Sequence, residues 1–499
     1  MGRQLLSLAI IMASILGTKV LMAQPPDTIW TRTYGDSGVS AAYGVAELPG
    51  GGFIVGGYTP EEGDLQSDVW LFRVDVDGNM VWEDKIGYPD TPEQAYTLEP
   101  ALDGEFVLAG LGVSEEGRGK AYIIKADSNG GGWGFYYGWI TENTYAYHAV
   151  ATTYHGVVAV GYQTLDLAGA NVYVVATGPS GLFAWERVYN WGWADKARGV
   201  TRTRDGGYMV TGETNSFGLH TYGIFLQKLD SLGLDDGFVL ITWEGDQYAN
   251  CVQQTLDGGY IIAGYEKDPD HVDLNMLIIK TDSYGMMEWH KIYGGDSHDV
   301  ATYVYTLPGG GYIVTGVGRK PGALHNDVWV LRLDANGDTL WTKFIGAELI
   351  GTEWINESSY QIRPTSDGGY IIAGARGVGY MNTRAYLIRL APDPEGIVDN
   401  RNNHIAEKFV LYPNYPNPFN SATTIRYQVQ ATTEVTLRIY DLLAREVATL
   451  VNERKPAGTY TVCWDGTGDG GQPLASGIYF YRLKVRGDFV QTHKMLLLR

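Results

Sequence analysis

A glycine-containing turn followed by a short apolar strand recurs seven times in this sequence, and this repeat constrains the fold more than any other feature. The clearest copies are Asp257–Ile261 and Asp367–Ile371, which both read Asp-Gly-Gly-Tyr-Ile. In the seven copies the strand begins at Phe53, Phe106, Val157, Tyr208, Tyr260, Tyr312 and Tyr370. Successive copies are 51 to 58 residues apart. One structural unit is therefore repeated seven times.

The sixth copy shows how the unit is organised. It contains four strand-like segments separated by turns: Ala301–Leu307, Tyr312–Gly316, Val328–Leu333 and Thr339–Ile345. The segments are apolar on both faces, so each sheet must be covered on both sides. Stacked four-stranded sheets are the blades of a propeller, whereas the competing fold, a row of β-sandwich domains, needs about 100 residues per domain. We predict an all-β protein with a seven-bladed β-propeller over residues 24–395.

The two ends of the repeated region complement each other. In six copies a large aromatic residue opens the fourth strand, at Trp82, Phe135, Trp185, Phe238, Trp289 and Trp341. The seventh copy lacks this strand, because Leu390 runs into a proline-containing segment that cannot continue a ladder. The missing piece matches Ile29–Gly35, which aligns with Leu340–Gly346 position by position. We predict that the N-terminal segment completes the seventh blade and leaves no open sheet edge.

The turn before the fourth strand reads Asp-x-x-Gly-x-x-x-Trp at Asp75–Trp82, Asp282–Trp289 and Asp334–Trp341. It is similar to the tryptophan-docking repeat of quinoprotein dehydrogenase propellers. The resemblance implies blade packing and no cofactor, because those enzymes carry vicinal cysteines and this chain has only Cys251 and Cys463. We expect both cysteines to be unpaired, buried small residues, and we predict no cofactor.

The first residues are typical of a signal peptide. Arg3 precedes the 13-residue apolar run Leu5–Gly17, and Ala23 offers a cleavage point. This run is too short to span a bilayer, and no later stretch is apolar enough to do so. We predict that residues 1–23 are removed on export and that the mature chain has no transmembrane segment.

The repeat stops before residue 409, after a linker at residues 396–408, and a different domain occupies residues 409–499. Its main motifs are Tyr412–Asn420, Val435–Asp441, Ser476–Tyr481 and Lys494–Arg499. In these motifs the domain resembles the type A sorting domains of the type IX secretion system. The resemblance implies a small immunoglobulin-like sandwich, type IX secretion machinery as a partner, and a location outside the cell or on the outer-membrane surface, reached through the periplasm.

The resemblance also implies a sorting signal at the end of the chain, formed by Lys494, Leu496, Leu497 and Arg499. We expect a receptor to engage this segment without unfolding the domain. The alternative is a purely structural sandwich of the flagellar hook-cap type, which shares the fold.

The loops that join the second strand to the third, and one unit to the next, vary in length and composition. They carry Tyr145, Tyr147, His148, Trp191, Trp193, Tyr248, Asp296, His298, Asp299 and Trp354. One interpretation is that these aromatic residues pack between blades. The other is a ligand face of aromatic platforms and acidic groups that suits sugars. For that face the candidate residues are Trp191, Trp193, Tyr248, Asp296, His298 and Trp354.

No motif supports a catalytic or metal site. Gly35–Gly38 resembles a serine-protease nucleophile motif but has no room for upstream partners, and Asp75–Asn79 lacks the remaining ligands of a calcium loop. The formal charge of −20 argues against nucleic acid as a partner. Glu47 is the only acid in the predicted inner strands Tyr43–Leu48, Val252–Leu256 and Tyr303–Leu307. These features favour a non-enzymatic module for a glycan or protein ligand; the alternative is a polysaccharide hydrolase or lyase.

Overall fold

The computed structural model of the protein describes residues 23–35, 38–60, 66–88, 91–139, 141–164, 169–267, 273–295, 297–320, 322–323, 325–346, 355–378, 382–393, 410–411, 414, 419–420, 422–429, 433–443, 445–455, 458–485 and 490–498. Within these ranges every regular element is a β-strand. No helix that could cross a membrane occurs among them.

Twenty-eight strands form seven four-stranded antiparallel sheets. In chain order they are β1 (Thr28–Tyr34), β2 (Ala41–Glu47), β3 (Phe53–Pro60), β4 (Ser67–Val74), β5 (Met80–Ile86), β6 (Glu93–Pro100), β7 (Phe106–Val113), β8 (Gly119–Ala126), β9 (Gly132–Tyr137), β10 (Asn143–Ala151), β11 (Val157–Thr164), β12 (Ala170–Thr177), β13 (Phe183–Tyr189), β14 (Asp195–Arg202), β15 (Tyr208–Thr214), β16 (Gly223–Leu229), β17 (Asp235–Ile241), β18 (Asp246–Gln254), β19 (Tyr260–Lys267), β20 (Leu274–Thr281), β21 (Met287–Tyr293), β22 (Val300–Thr306), β23 (Tyr312–Gly318), β24 (Asp327–Leu333), β25 (Thr339–Ile345), β26 (Ile355–Pro364), β27 (Tyr370–Val378) and β28 (Asn382–Leu390).

The sheets are arranged as the blades of a closed ring. The first strands of the seven blades contact one another in a cycle that returns from β26 to β2, and we call these β2, β6, β10, β14, β18, β22 and β26 the inner strands. The middle strands of a blade are buried on both faces, as β12 is along its whole length. In the outermost strand β13, by contrast, every residue is at least partly exposed to solvent. The predicted all-β propeller is confirmed.

The seventh blade combines the two ends of the repeated region. Strand β1 pairs antiparallel with β28, with Thr31 opposite Ile388 and Tyr34 opposite Ala385. The sheet order is therefore β1-β28-β27-β26. Because the first strand hydrogen-bonds to the last blade, the edge that β28 would expose is covered.

Aromatic residues of the outermost strand tie several blades to a turn of the next blade. Trp30 Nε1 donates to Val76 O at 3.0 Å, and the Tyr34 hydroxyl donates to Gly78 O at 2.7 Å. Gly78 has a φ of +78°, and a Cβ there would lie 3.2 Å from the Trp30 ring, so a glycine is required on both counts. The same offsets recur two blades on, in bonds from Trp133 to Pro179 and from Tyr137 to Gly181.

The C-terminal domain is a sandwich of two sheets, with strand orders β29-β30-β33 and β32-β31-β34-β35. Its strands are β29 (Val410–Leu411), β30 (Thr423–Val429), β31 (Thr433–Tyr440), β32 (Glu446–Lys455), β33 (Gly458–Trp464), β34 (Gly477–Val485) and β35 (Val490–Leu497). Alternate residues such as Leu437 and Tyr481 form its core.

The expectation for the cysteines was right for one residue and wrong for the other. Cys251 lies on an inner strand and is buried, and burial raises the pKa of its thiol to about 12. Cys463 lies on β33 but is exposed, because strand residues alternate between the two faces of a sheet and the neighbouring Trp464 takes the inward position. Both thiols are free.

Candidate functional site

Every inner strand contains a β-bulge at the same position. The pairing register shifts by one residue between Ala42 and Gly44 in the first blade and at the equivalent point in the other six. The bulged residues are, in blade order, Tyr43, Tyr96, Tyr147, Arg198, Asn250, Thr302 and Tyr360. A bulge redirects its side chain, and all seven line one cavity of about 400 Å³ in the centre of the ring. We call it the central cavity.

Four tyrosines on adjacent blades form a continuous aromatic arc around this cavity. The Tyr43 ring stacks on Tyr360 with centroids 4.0 Å apart and on Tyr96 edge-to-face at 5.4 Å. Tyr96 stacks in turn on Tyr147 at 5.7 Å. Burial raises the pKa of Tyr43 and Tyr96 far above the usual value for tyrosine. The arc is therefore a continuous aromatic surface, and the phenols of Tyr43 and Tyr96 remain protonated at neutral pH.

The arc ends at an arginine whose charge is already paired. The Arg198 guanidinium carbon lies 4.4 Å from the centroid of the Tyr147 ring. Its Nη2 and Nε donate to the buried carboxylate of Glu213, at 2.9 Å and 3.2 Å. Burial alone would lower the pKa of Arg198, but the Glu213 carboxylate raises it. Arg198 thus contributes a cation–π contact and a planar surface rather than an unpaired positive charge.

The rest of the cavity wall is polar, and most of its side chains already form hydrogen bonds within the protein. Asn250 donates its side-chain N–H to Ala301 O at 2.8 Å, and the Thr302 hydroxyl donates to main-chain oxygens at 2.9–3.0 Å. Thr97, beside the bulge of the second blade, is 2% exposed and lines the cavity. Its Oγ1 makes no hydrogen bond to the described part of the chain. A buried hydroxyl without a protein partner costs free energy unless a ligand or water satisfies it.

A single carboxylate gathers side chains from three other blades beneath the arc. Glu99 on β6 accepts from the Tyr303 hydroxyl at 3.0 Å and from Gln361 Nε2 at 2.9 Å. It forms an ion pair with Arg363 and lies 3.5 Å from His148 Nε2. Burial would raise the pKa of Glu99, but Arg363 and His148 outweigh it and hold the pKa well below its usual range. These side chains fill the axis of the ring, so the central cavity has a floor.

The sequence analysis missed Glu99. The acid predicted from the sequence was Glu47, which instead accepts a hydrogen bond from the main-chain N of Ser366 at 2.6 Å. The signal was present, because Glu99 follows the bulged Tyr96 by three residues on β6. This position can be recognised only when the sequences of all seven inner strands are aligned on their bulged residues.

A second set of residues occupies the same position in every inner strand, and some of these residues hydrogen-bond to the adjoining loops. Three residues before each bulge stands a buried polar residue: Ser40, Glu93, Thr144, Asp195, Gln247, Asp299 and Glu357. Asp195 accepts from Trp191 N at 3.3 Å and from the Ser216 hydroxyl at 3.0 Å, and Asp299 accepts from Gly295 N at 3.1 Å. Burial raises the pKa of Asp195 and of Asp299. These acids fix the loops, and among the described residues no group of acids, histidines and cysteines could hold a metal ion.

Two predicted ligand-face tryptophans have different environments. Trp191 packs edge-to-face on Phe225 at 5.0 Å and on Phe238 at 4.9 Å. This contact joins it to the hydrophobic core between two blades. Trp193 is 72% exposed, and its main-chain N donates to the Ser216 hydroxyl at 3.0 Å. Neither tryptophan belongs to the described wall of the central cavity.

The other candidates are dispersed. Tyr248 stacks on Tyr265 at 4.6 Å, and exposed His298 has its Nδ1 3.4 Å from Asp273. Two candidates lie outside the described residues: Asp296 and Trp354. Several residues grouped with the loops are instead on inner strands, because those strands begin earlier than the repeat suggested: Tyr145, Tyr147, His148 and Tyr248. Of these, Tyr147 and His148 line the cavity.

The predicted sorting residues belong to the sandwich rather than to a free tail. Strand β35 pairs with β34 along its whole length. Lys494 is exposed and Leu496 half-buried, whereas Leu497 is completely buried in the core; Arg499 lies outside the described residues. The expectation that a receptor reaches the whole segment without unfolding was therefore wrong for Leu497.

Comparison with known proteins identifies a domain type in the C-terminal region. Residues 419–488 match the FlgD Ig-like domain. No curated protein matches the chain.

The chain is also similar to several solved structures. Sqt1 of Chaetomium thermophilum has 10% identity, a TM-score of 0.41, and a match covering 73% of this chain and 98% of that one. A protein of unknown function from Dyadobacter fermentans has 11% identity and a TM-score of 0.41, with 74% and 100% covered. The endo-arabinase of Bacteroides thetaiotaomicron has 10% identity and a TM-score of 0.32, with 73% and 99% covered.

Proposed function

We propose that this protein is an exported binding protein that holds the end of a glycan in the central cavity of its propeller. The observation that carries the proposal is the ring of seven bulged side chains, four of which form the aromatic arc. Residues on seven separate strands converge on one cavity. Its volume of about 400 Å³ falls within the range of small-ligand sites.

The wall chemistry favours a sugar over a protein segment. A sugar ring has apolar C–H faces that stack on aromatic rings and hydroxyl edges that need hydrogen-bond partners. The central cavity offers the arc on one side and hydroxyl and amide groups on the other, as at Thr97 and Asn250. A protein ligand would have to insert a single side chain, because the Glu99 network closes the floor.

Binding is favoured over catalysis because the carboxylates at the site are engaged. A retaining glycosidase needs two free carboxyl groups about 5 Å apart, one of them able to give up a proton. Glu99 is paired with Arg363 and Glu213 with Arg198. The ion pair with Arg363 lowers the pKa of Glu99 and so holds it in the charged form, which is not that of a proton donor. We therefore assign no catalytic residue.

We also propose that the C-terminal domain directs export through the type IX system, which places the protein outside the cell or on the outer-membrane surface. The support is the motif resemblance, above all the terminal Lys494–Arg499 segment. The FlgD Ig-like match ends at residue 488. The segment that distinguishes a sorting domain from a structural sandwich is therefore the final strand.

A glycan array probed with labelled mature protein tests the binding proposal. Tyr360→Ala removes one face of the closest stack in the arc and should lower the array signal at least about fivefold, since a stacking aromatic in a binding site contributes more than about 1 kcal/mol. Tyr248→Ala is the matched control, because Tyr248 is also a stacked inner-strand tyrosine but lies outside the cavity wall. Equal loss in both variants, or no glycan bound by the unchanged protein, would contradict the proposal.

A further inference from the structure

We infer that the central cavity selects a neutral sugar ring and rejects uronic and sialic acids. The inference rests on the proposed glycan-binding function and adds the charge class of the ligand. It follows from how the two arginines around the cavity are paired and from which polar groups remain for a ligand.

Both guanidinium groups near the cavity are already matched by buried carboxylates. Arg198 is held by Glu213, whose side chain is 5% exposed, and Arg363 by Glu99, whose side chain is 12% exposed. A ligand carboxylate entering the cavity would lose its hydration without gaining an unpaired cation.

Apart from His148, which faces Glu99, the other polar groups of the cavity wall are neutral hydrogen-bonding groups. Thr97 lines the cavity, and its buried Oγ1 has no hydrogen-bond partner among the described residues. The tyrosines of the arc contribute phenol groups, and Asn250 contributes an amide. Hydroxyl groups of a neutral sugar can both donate to and accept from such groups, so each can be satisfied without a net charge. The cavity is thus complementary to a hydroxylated, uncharged ring.

Matched methyl glycosides test this inference on the full mature protein. The probes are methyl glucoside against methyl glucuronoside, and methyl galactoside against methyl galacturonoside, because the members of each pair differ only at C6. Saturation-transfer NMR and calorimetry at pH 7 should show binding of at least one neutral member and at least about tenfold weaker binding of its acidic partner. Comparable or tighter binding of the acid would overturn the inference and leave the proposed function intact. Binding of neither member of any pair, together with an empty glycan array, would instead remove the proposed function.

A charge variant gives an independent readout. Glu213→Gln keeps the shape of the side chain but releases the positive charge of Arg198, so the acidic glycoside should gain at least about tenfold relative to its neutral partner. Glu288→Gln is the control, since Glu288 is also paired with a buried cation, Lys280, but lies on the outermost strand of its blade. An unchanged ratio in a folded Glu213→Gln protein would refute the role of this ion pair. Should that variant fail to fold, the comparison of glycosides on the unchanged protein still decides.

Discussion

The rings of Tyr43 and Tyr360 lie 4.0 Å apart and within 8° of parallel, although they belong to the first and the last blade of the propeller. Their stack forms only when the ring closes. The aromatic arc is therefore a product of the closed architecture as well as a wall of the candidate site. Closure and ligand binding share the same residues, so perturbing one should be detectable in the other.

The tyrosine stack can be measured by a double-mutant cycle. We expect Tyr43→Ala and Tyr360→Ala to show a coupling free energy of about 0.5–1.5 kcal/mol, the usual range for an aromatic pair beyond its buried area. Chemical denaturation of the two single variants, the double variant and the unchanged protein gives the value. Additive effects would show that the two rings do not support each other.

Ring closure through β1 makes Trp30 a stability residue. It is 9% exposed, packs edge-to-face on Phe53 and donates to Val76 O. We expect Trp30→Ala to cost about 3–5 kcal/mol of unfolding free energy and to lower the melting temperature by several degrees. Trp193→Ala, at a residue that is 72% exposed, should change stability by less than about 0.5 kcal/mol. Calorimetry that ranks the two variants equally would argue against closure by β1.

The Glu99 network predicts a specific loss of stability in acid. The net effect of burial, Arg363 and His148 lowers the pKa of Glu99 from 4.5 to about 2. A carboxyl whose folded pKa is depressed stabilises the fold above its unfolded pKa and loses that contribution as the pH falls through the folded value. The unchanged protein should therefore lose stability between about pH 4.5 and pH 2.

The matched variant separates this carboxylate from the others. Glu99→Gln leaves the buried Arg363 without a counter-charge and should be destabilised by about 3–5 kcal/mol at pH 7. The difference in stability between this variant and the unchanged protein should shrink as the pH falls toward 2. Melting curves recorded at a series of pH values measure it. A constant difference at every pH would mean that Glu99 is not the group that titrates.

Export can be tested without disturbing the sandwich. Removing the final strand would also remove Met495 and Leu497 from the core, so truncation mixes two effects. Lys494→Ala changes an exposed residue of β35, and Lys484→Ala changes an exposed lysine of the adjacent β34. In a host with a type IX system we expect the first variant to accumulate in the periplasm and the second to reach the surface. Equal surface amounts in cell fractionation would count against the sorting assignment.

The repeat made the architecture predictable because the same short-range pattern specifies every blade. Spacing, glycine turns and the missing fourth strand determined the number of blades and the pairing of β1 with β28. The site was less accessible to sequence reasoning. A bulge such as that at Tyr43 leaves no local signal in the sequence, because Ala-Tyr-Gly is also compatible with a regular strand in which side chains alternate between the two faces. Glu99 meets Tyr303 and Arg363 only after more than 200 residues of chain have closed the ring. The loop tryptophans were predicted to bind a ligand because they are conspicuous in the sequence of the loops, yet Trp191 packs on Phe225.

The most direct test of the central claim is a crystal structure of the mature protein soaked with the strongest ligand from the glycan array. The account predicts a neutral sugar ring in the central cavity, stacked on the arc formed by Tyr360, Tyr43, Tyr96 and Tyr147, with a hydroxyl within hydrogen-bonding distance of Thr97 Oγ1. Density for the ligand at Trp193 or elsewhere on the outer loops, with the cavity holding only water, would contradict it.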